Sequence, residues 1–199
     1  MPTARTVGGL SVIGLGLAAA ALTWWHGGSG ADPAHGPRCT APSAADLSGR
    51  TVTAFDLQDR PLRCADLHRA TLRDAAITSA DLYGADLSRV TARSAQLSRV
   101  KLTRADLGGA VLRDSSLTDV GLQRATLRDA DLRAVSFLRT DLGAADLRGA
   151  DLTGASFEAS NLRGARLDGA RLGGTAWVDS VCPDGTRSTG GTCQGHLRP

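Results

Sequence analysis

The sequence predicts an all-β fold, a parallel β-helix or solenoid, preceded by one apolar N-terminal helix. Three observations carry that prediction. Large apolar residues recur every five positions from Leu62 to Leu172 with Ala92 the one exception, a small residue stands two places before each from Leu67 onward, and no insertion or deletion breaks the frame. A helix turns every ~3.6 residues, so a five-residue period would scatter the leucines around it. An uninterrupted strand would send residues five apart to opposite faces. A short bridge followed by a corner, repeated, keeps them on one side, and each unit then covers the apolar side of the next.

The chain has 199 residues, enough for one domain with short appendages. Its 23 Lys and Arg against 20 Asp and Glu leave a formal charge of +3, which excludes a strongly acidic chain and gives little support to a nucleic-acid binder. Aromatic residues are only 4% of the chain, too few for a ring-built core or a base-stacking platform. A composition 42% hydrophobic and 22% charged is too apolar and too balanced for disorder. Lys101 is the one lysine among many arginines, a bias that reads as GC-rich bacterial coding.

The N-terminal residues 1–25 form an export or anchoring segment. Val7 to Trp25 are uncharged and largely apolar, with Arg5 before them. Cleavage after Ser29-Gly30-Ala31 or Ala19-Ala20-Ala21 would make this a signal peptide of a secreted protein. A retained transmembrane helix is the preferred reading, because ~20 apolar residues span the hydrocarbon core and Trp24-Trp25 sit where an interfacial aromatic pair would. Arg5 then keeps the short end in the cytoplasm and places the rest outside. Residues 26–44, rich in Gly, Pro and Ala and without periodicity, read as a flexible spacer.

The repeat domain spans 45–177, with strict repeats over 62–172. Of the 23 central positions in that stretch, 22 are large and apolar, the exception being Ala92 beside a compensating Val90. The 22 small positions hold 15 Ala together with Val90, Val100, Val120, Val135, Ser115, Thr140 and Ser160. Leu47, Val52 and Leu57 keep the same phase, but Arg50, Phe55 and Arg60 fill the small slot, so the first coil is expected to be a distorted cap.

Ala65-Asp66-Leu67, Ala85-Asp86-Leu87, Ala105-Asp106-Leu107, Ala145-Asp146-Leu147, Ala150-Asp151-Leu152 and Ser160-Asn161-Leu162 resemble the A(D/N)LXX unit of pentapeptide repeat proteins. That resemblance implies a right-handed quadrilateral β-helix with four pentapeptides per coil, the leucine and the small residue inward and the other three outward. With coils of that length, Ile77, Leu97, Leu117, Phe137, Phe157 and Trp177 share one interior column, and Phe137, Phe157 and Trp177 become a core aromatic ladder.

The outer positions carry 14 acidic and 16 basic residues between Ala65 and Leu172. The best-characterised members of the family imitate DNA with an acidic rod and bind type II topoisomerases; a net-positive rod behind an export segment disfavours that alternative here. Arg73, Arg93, Arg113 and Arg133 fall in one outer column and form a candidate anion-binding ladder, suited to a cell-envelope phosphate or carboxylate. The competing expectation is an Arg and Asp lattice completed by Asp74, Asp114 and Asp131.

Catalysis is not expected. His26 and His35 lie in the spacer, His68 on an outer position and His196 in the tail, and no nucleophile, metal-protease, phosphate-loop or calcium-loop motif is present. No metal site or cofactor is expected, because Cys39, Cys64, Cys182 and Cys193 lack paired Cys-x-x-Cys spacing. All four cysteines flank the strict repeat, as disulfides in an exported protein would. Of three pairings, Cys39 with Cys64 and Cys182 with Cys193 are preferred, the second closing the tail 178–199 through its Pro183-Asp184-Gly185 and Gly190-Gly191 turns. The tail resembles those of some exported pentapeptide proteins and, as a cap, disfavours the end-to-end dimers seen in the family. The expected function is a non-catalytic scaffold or binding rod, contacting membrane through its N-terminal segment and a protein or envelope polymer through its surface.

Overall fold

The computed structural model describes residues 45–53, 57, 62–72, 75–189, 191–193 and 195–197. The N-terminal segment 1–25, the spacer 26–44, Phe55, Arg60, Arg73 and Asp74 lie outside the described residues. Among those described, no helix is long and apolar enough to cross a membrane.

The backbone of one repeat shows why the sequence reads small-Asp-Leu-x-x. Asp106 N–H donates back to Ala85 C=O in the preceding coil (2.9 Å), Leu107 and Gly109 donate forward to Thr126 and Arg128 (2.7 and 2.8 Å), and Ala110 N–H returns to Leu107 C=O (3.0 Å). The remaining N–H, on Gly108, goes to Asp106 Oδ1 at 2.8 Å. All five N–H groups of the unit are thereby satisfied, which a stacked backbone requires. A carboxylate or amide side chain before the leucine is what supplies the fifth acceptor. Asp46, Asp66, Asp81, Asp86, Asp141, Asp146, Asp151 and Asn161 accept in the same way.

Among the described residues, the one before each small position of the strict repeat turns the corner in the left-handed region, glycine at Gly109 (φ 63°) but arginine at Arg69 (57°), Arg89 (57°) and Arg104 (60°). Most side chains adopt that conformation at a cost. Forward hydrogen bonds from the corner residues, such as Arg89 to Gly108 C=O at 2.8 Å, hold it in place.

Eight short strands form: β1 (Thr51–Val52), β2 (Thr71–Leu72), β3 (Ala76–Thr78), β4 (Gln96–Ser98), β5 (Ser116–Thr118), β6 (Ser136–Leu138), β7 (Ser156–Glu158) and β8 (Ala176–Val178). β1 pairs with β2, and β3 to β8 make a six-stranded sheet in sequence order. Every pairing is parallel and offset by one coil, as in Ile77 with Leu97 and Phe157 with Trp177. The other three sides are joined by single-residue parallel bridges such as Asp86 with Asp106, Thr91 with Val111 and Lys101 with Gly121. The result is a parallel β-solenoid of about six turns, each strand in β3 to β8 marking one turn.

Its interior is four columns of apolar side chains. Leu67, Leu102, Leu122, Leu127, Leu132, Leu142, Leu147 and Leu152 have no exposed surface, and the alanines between them are equally buried. Leu47, Val52 and Leu57 are buried in the same phase, and Asp46 and Thr51 bridge in register to Asp66 and Thr71, so the regular stack begins before the strict repeat. At the other end the frame runs on through Ser180 to Cys182. Cys182 occupies the leucine position one coil beyond Leu162 and is fully buried.

Candidate functional site

The outer surface is built by the side chains flanking each buried leucine, and their partners follow from coil register. The residue after a leucine faces the residue that precedes the corresponding leucine one coil later, eighteen positions on. Arg63 bonds Asp81 (3.0 Å), Arg113 bonds Asp131 (Nε to Oδ2, 3.0 Å) and Gln123 bonds Asp141 (2.9 Å) by this rule. Arg63 also lies 4.6 Å from the Tyr83 ring centroid, where a cation is attracted by the ring face.

The candidate anion ladder is divided by these pairings. Arg113 and Arg133 share Asp131, with Arg133 Nε at 2.8 Å from Oδ1, and Arg133 also approaches Asp151 at 3.9 Å. Arg171 stands 3.9 Å from the same Asp151. An open cleft of ≈ 390 Å³ lies there, lined by Asp129, Asp131, Arg133, Gly149, Asp151 and Arg171. This part of the column is an Arg and Asp lattice. Arg93 is exposed and has no ion-pair partner among the described residues. Asp114 is likewise exposed, and Arg73 and Asp74 lie outside the described residues.

Elsewhere Arg139 makes a two-pronged bond to Asp119 (2.7 and 2.9 Å), and that bond holds the Asp119 carboxyl below its ordinary pKa. Arg148 turns back onto Asp146. Burial acts to raise the Asp146 pKa, and the Arg148 side-chain and backbone bonds outweigh it to leave a net lowering. The Thr153 hydroxyl and N–H lower that of Asp151.

Inside the coil, the polar exceptions among the small residues close open turns. On the side that carries β3 to β8 the small residue does not return its N–H to the leucine position. Instead Thr140 N–H donates to Ser160 Oγ (3.0 Å) in the next coil, and that hydroxyl donates to Phe137 C=O (3.0 Å). Ser180 does the same between Ser160 N–H and Phe157 C=O (3.0 and 3.1 Å), and on the preceding side Ser115 links Ala95 N–H to Ala92 C=O (3.0 Å each). These hydroxyls were legible only as small residues. The missing signal was their spacing, since Thr140, Ser160 and Ser180 stand one coil apart beside the aromatic column.

In that column Phe137 stacks on Phe157 with centroids 4.7 Å apart, and Phe157 stacks on Trp177 at 4.5 Å. Trp177 N–H donates to Gly191 C=O (3.1 Å), so the tail crosses the end of the aromatic column. The tail is closed by a disulfide between Cys182 and Cys193, whose Cα atoms are 5.7 Å apart. Cys64 is also disulfide-bonded; Cys39, the partner preferred from sequence, lies outside the described residues. His196 Nδ1 meets Asp184 Oδ2 at 2.6 Å, and His68 Nδ1 meets Ser88 Oγ at 2.8 Å. His26 and His35 lie outside the described residues. Among the described residues no group of His, Cys, Asp and Glu could hold a metal ion.

Comparisons with known proteins extend these observations. No curated protein matches the chain. Among solved structures, QnrB1, a plasmid-mediated fluoroquinolone resistance protein, is 22% identical with a TM-score of 0.41, covering 69% of this chain and 70% of its own. HetL, a pentapeptide repeat protein involved in heterocyst differentiation regulation from the cyanobacterium Nostoc, is 29% identical with a TM-score of 0.30, covering 62% and 68%. A pentapeptide repeat protein from the Arabidopsis thaliana thylakoid lumen is 27% identical with a TM-score of 0.31, covering 53% and 70%. The family described as pentapeptide repeats matches in 8 copies over residues 56–89, 95–133 and 136–175, more than half of the sequence. With small-Asp-Leu units, corner turns and coil-to-coil register all in place, the chain belongs to the pentapeptide repeat family.

Proposed function

We propose that this protein is a non-catalytic binding rod held on the extracytoplasmic side of a bacterial membrane, its coil right-handed and four-sided and its N-terminal segment the membrane tether. The observation that carries this reading is the Cys182–Cys193 disulfide closing the tail, with Cys64 bonded as well. Stable disulfides belong to oxidising compartments, and the uncharged run Val7 to Trp25 is the means of reaching one. A structural role for the surface is supported by how its polar groups are used. Most of the described outer aspartates already accept a turn N–H, and Asp81, Asp119, Asp131 and Asp151 pair with an arginine of a neighbouring coil, which leaves them committed to the rod. The surface offers binding through the groups left over, and an anionic envelope polymer is the partner those groups suit. Intact mass of the native protein from membrane and culture-fluid fractions, before and after reduction and alkylation, tests the location. A full-length mass in membranes with protected cysteines is expected. A full-length soluble cytosolic protein with free thiols would overturn the reading.

A further inference from the structure

The eighteen-residue pairing rule exposes a gap on one edge of the rod. The column Thr71, Thr91, Val111, Asp131, Asp151 is continuous in register, each residue bridged in parallel to the next. Its later members supply the carboxylates that neutralise Arg113 and Arg133. The position that would serve Arg93 is Val111, and Arg93 stays exposed with no ion-pair partner among the described residues. Two residues before the threonines, on the corner, stand Arg69 and Arg89, both exposed and likewise without a carboxylate partner among the described residues. The same edge is therefore an ion lattice at one end and, at the other, a hydroxyl track flanked by guanidinium groups that have no carboxylate partner among the described residues. From Leu82 to Lys101 the chain carries Arg89, Arg93, Arg99 and Lys101 against the single acid Asp86. That acid is already engaged by the N–H and hydroxyl of Ser88.

We propose that Arg69, Arg89 and Arg93, with the Thr71 and Thr91 hydroxyls between them, form a binding site for a linear polyanion lying along the rod. This deepens the reading above by locating its polymer site, and it rests on that reading only for the source of the polymer. Successive coils repeat every ~4.8 Å, so Arg69 and Arg89 hold like charges close together. Oxyanions of a chain laid beside the threonines relieve that repulsion, each accepting from a guanidinium fork and a hydroxyl. Phosphate and carboxylate chains share this chemistry. A flexible polyanion suits it better than a nucleic acid, because the track is about two coils long, short for a duplex, and Arg69, Thr71, Arg89, Thr91 and Arg93 offer no ring on which a base of a single strand could stack.

The test is fluorescence anisotropy of labelled polyphosphate and labelled polyglutamate, titrated with the purified full-length chain at increasing salt. Arg69→Asn, Arg89→Asn and Arg93→Gln together should weaken binding about tenfold or more and flatten its salt dependence. Asparagine tolerates the corner conformation at the first two positions. The charge-matched control Arg104→Asn, Arg124→Asn and Arg163→Gln should change affinity much less. Val111→Asp, which keeps every arginine and supplies the absent carboxylate, should also weaken binding. The polymer bound more tightly by the native chain identifies the oxyanion. No binding by the native chain, equal losses in site and control variants, unchanged binding in Val111→Asp, or tighter binding to single-stranded DNA than to either polymer would each overturn the proposal. Because binding is read on purified protein, its failure is separate from failure of the extracytoplasmic location.

Discussion

Single residues in this protein are chosen by the backbone group they must satisfy. Asp106 stands before its leucine because Gly108 N–H has no other acceptor, and Ser160 stands in an alanine slot because the Phe137 turn is open. The two cases predict different costs. Ser160→Ala should strand a buried N–H on Thr140, destabilising by about 1–3 kcal/mol in chemical denaturation. Alanine at neighbouring small positions whose N–H returns to the leucine, such as Ala165, is already native and loses nothing. A Ser160→Ala variant as stable as the native chain would show that these hydroxyls are incidental.

At the scale of elements, β6, β7 and β8 are tied by one ring stack and closed by one cap. Removing the middle ring with Phe157→Ala leaves Phe137 and Trp177 without a common neighbour and should cost about 3–5 kcal/mol. The cap has a pH limit set by Asp184. Bonds from the Thr186 hydroxyl and N–H, then from His196, lower its pKa to about 2. A carboxylate with a depressed folded value contributes stability above its unfolded value near 4 and loses it as pH falls through the folded one. Hydrogen-exchange protection over residues 182–193, taken relative to the intrinsic rate at each pH, should therefore hold at pH 5 and fall between about pH 4 and 2. In Asp184→Asn that acid-dependent loss of protection should be absent.

For the whole molecule, each coil touches only its neighbours, so damage should spread according to where it falls. Leu117→Asp buries an unpaired carboxylate in the middle of the stack and should abolish the β signal in circular dichroism. Cys182→Ser opens the end and should fray the last coil while leaving the central coils protected from exchange. Equal loss of protection in central and terminal coils would mean that the cap, and not the stack, supplies cooperativity.

The five-residue period by itself determined the solenoid and the buried columns, because a repeat this regular admits one way to hide its leucines. With the twenty-residue coil that the family resemblance implies, it also placed Phe137, Phe157 and Trp177 on one interior column. It could not sort the arginines. Arg113 finds its carboxylate eighteen residues away, where Arg93 finds Val111, and the hydroxyl bridges of Ser160 and Ser180 span 20 and 23 residues. Those separations mean nothing along an extended chain and become neighbours only when one coil is laid on another. The interior was therefore written in the local pattern, while the free and the occupied charges of the surface were decided by the stacking itself.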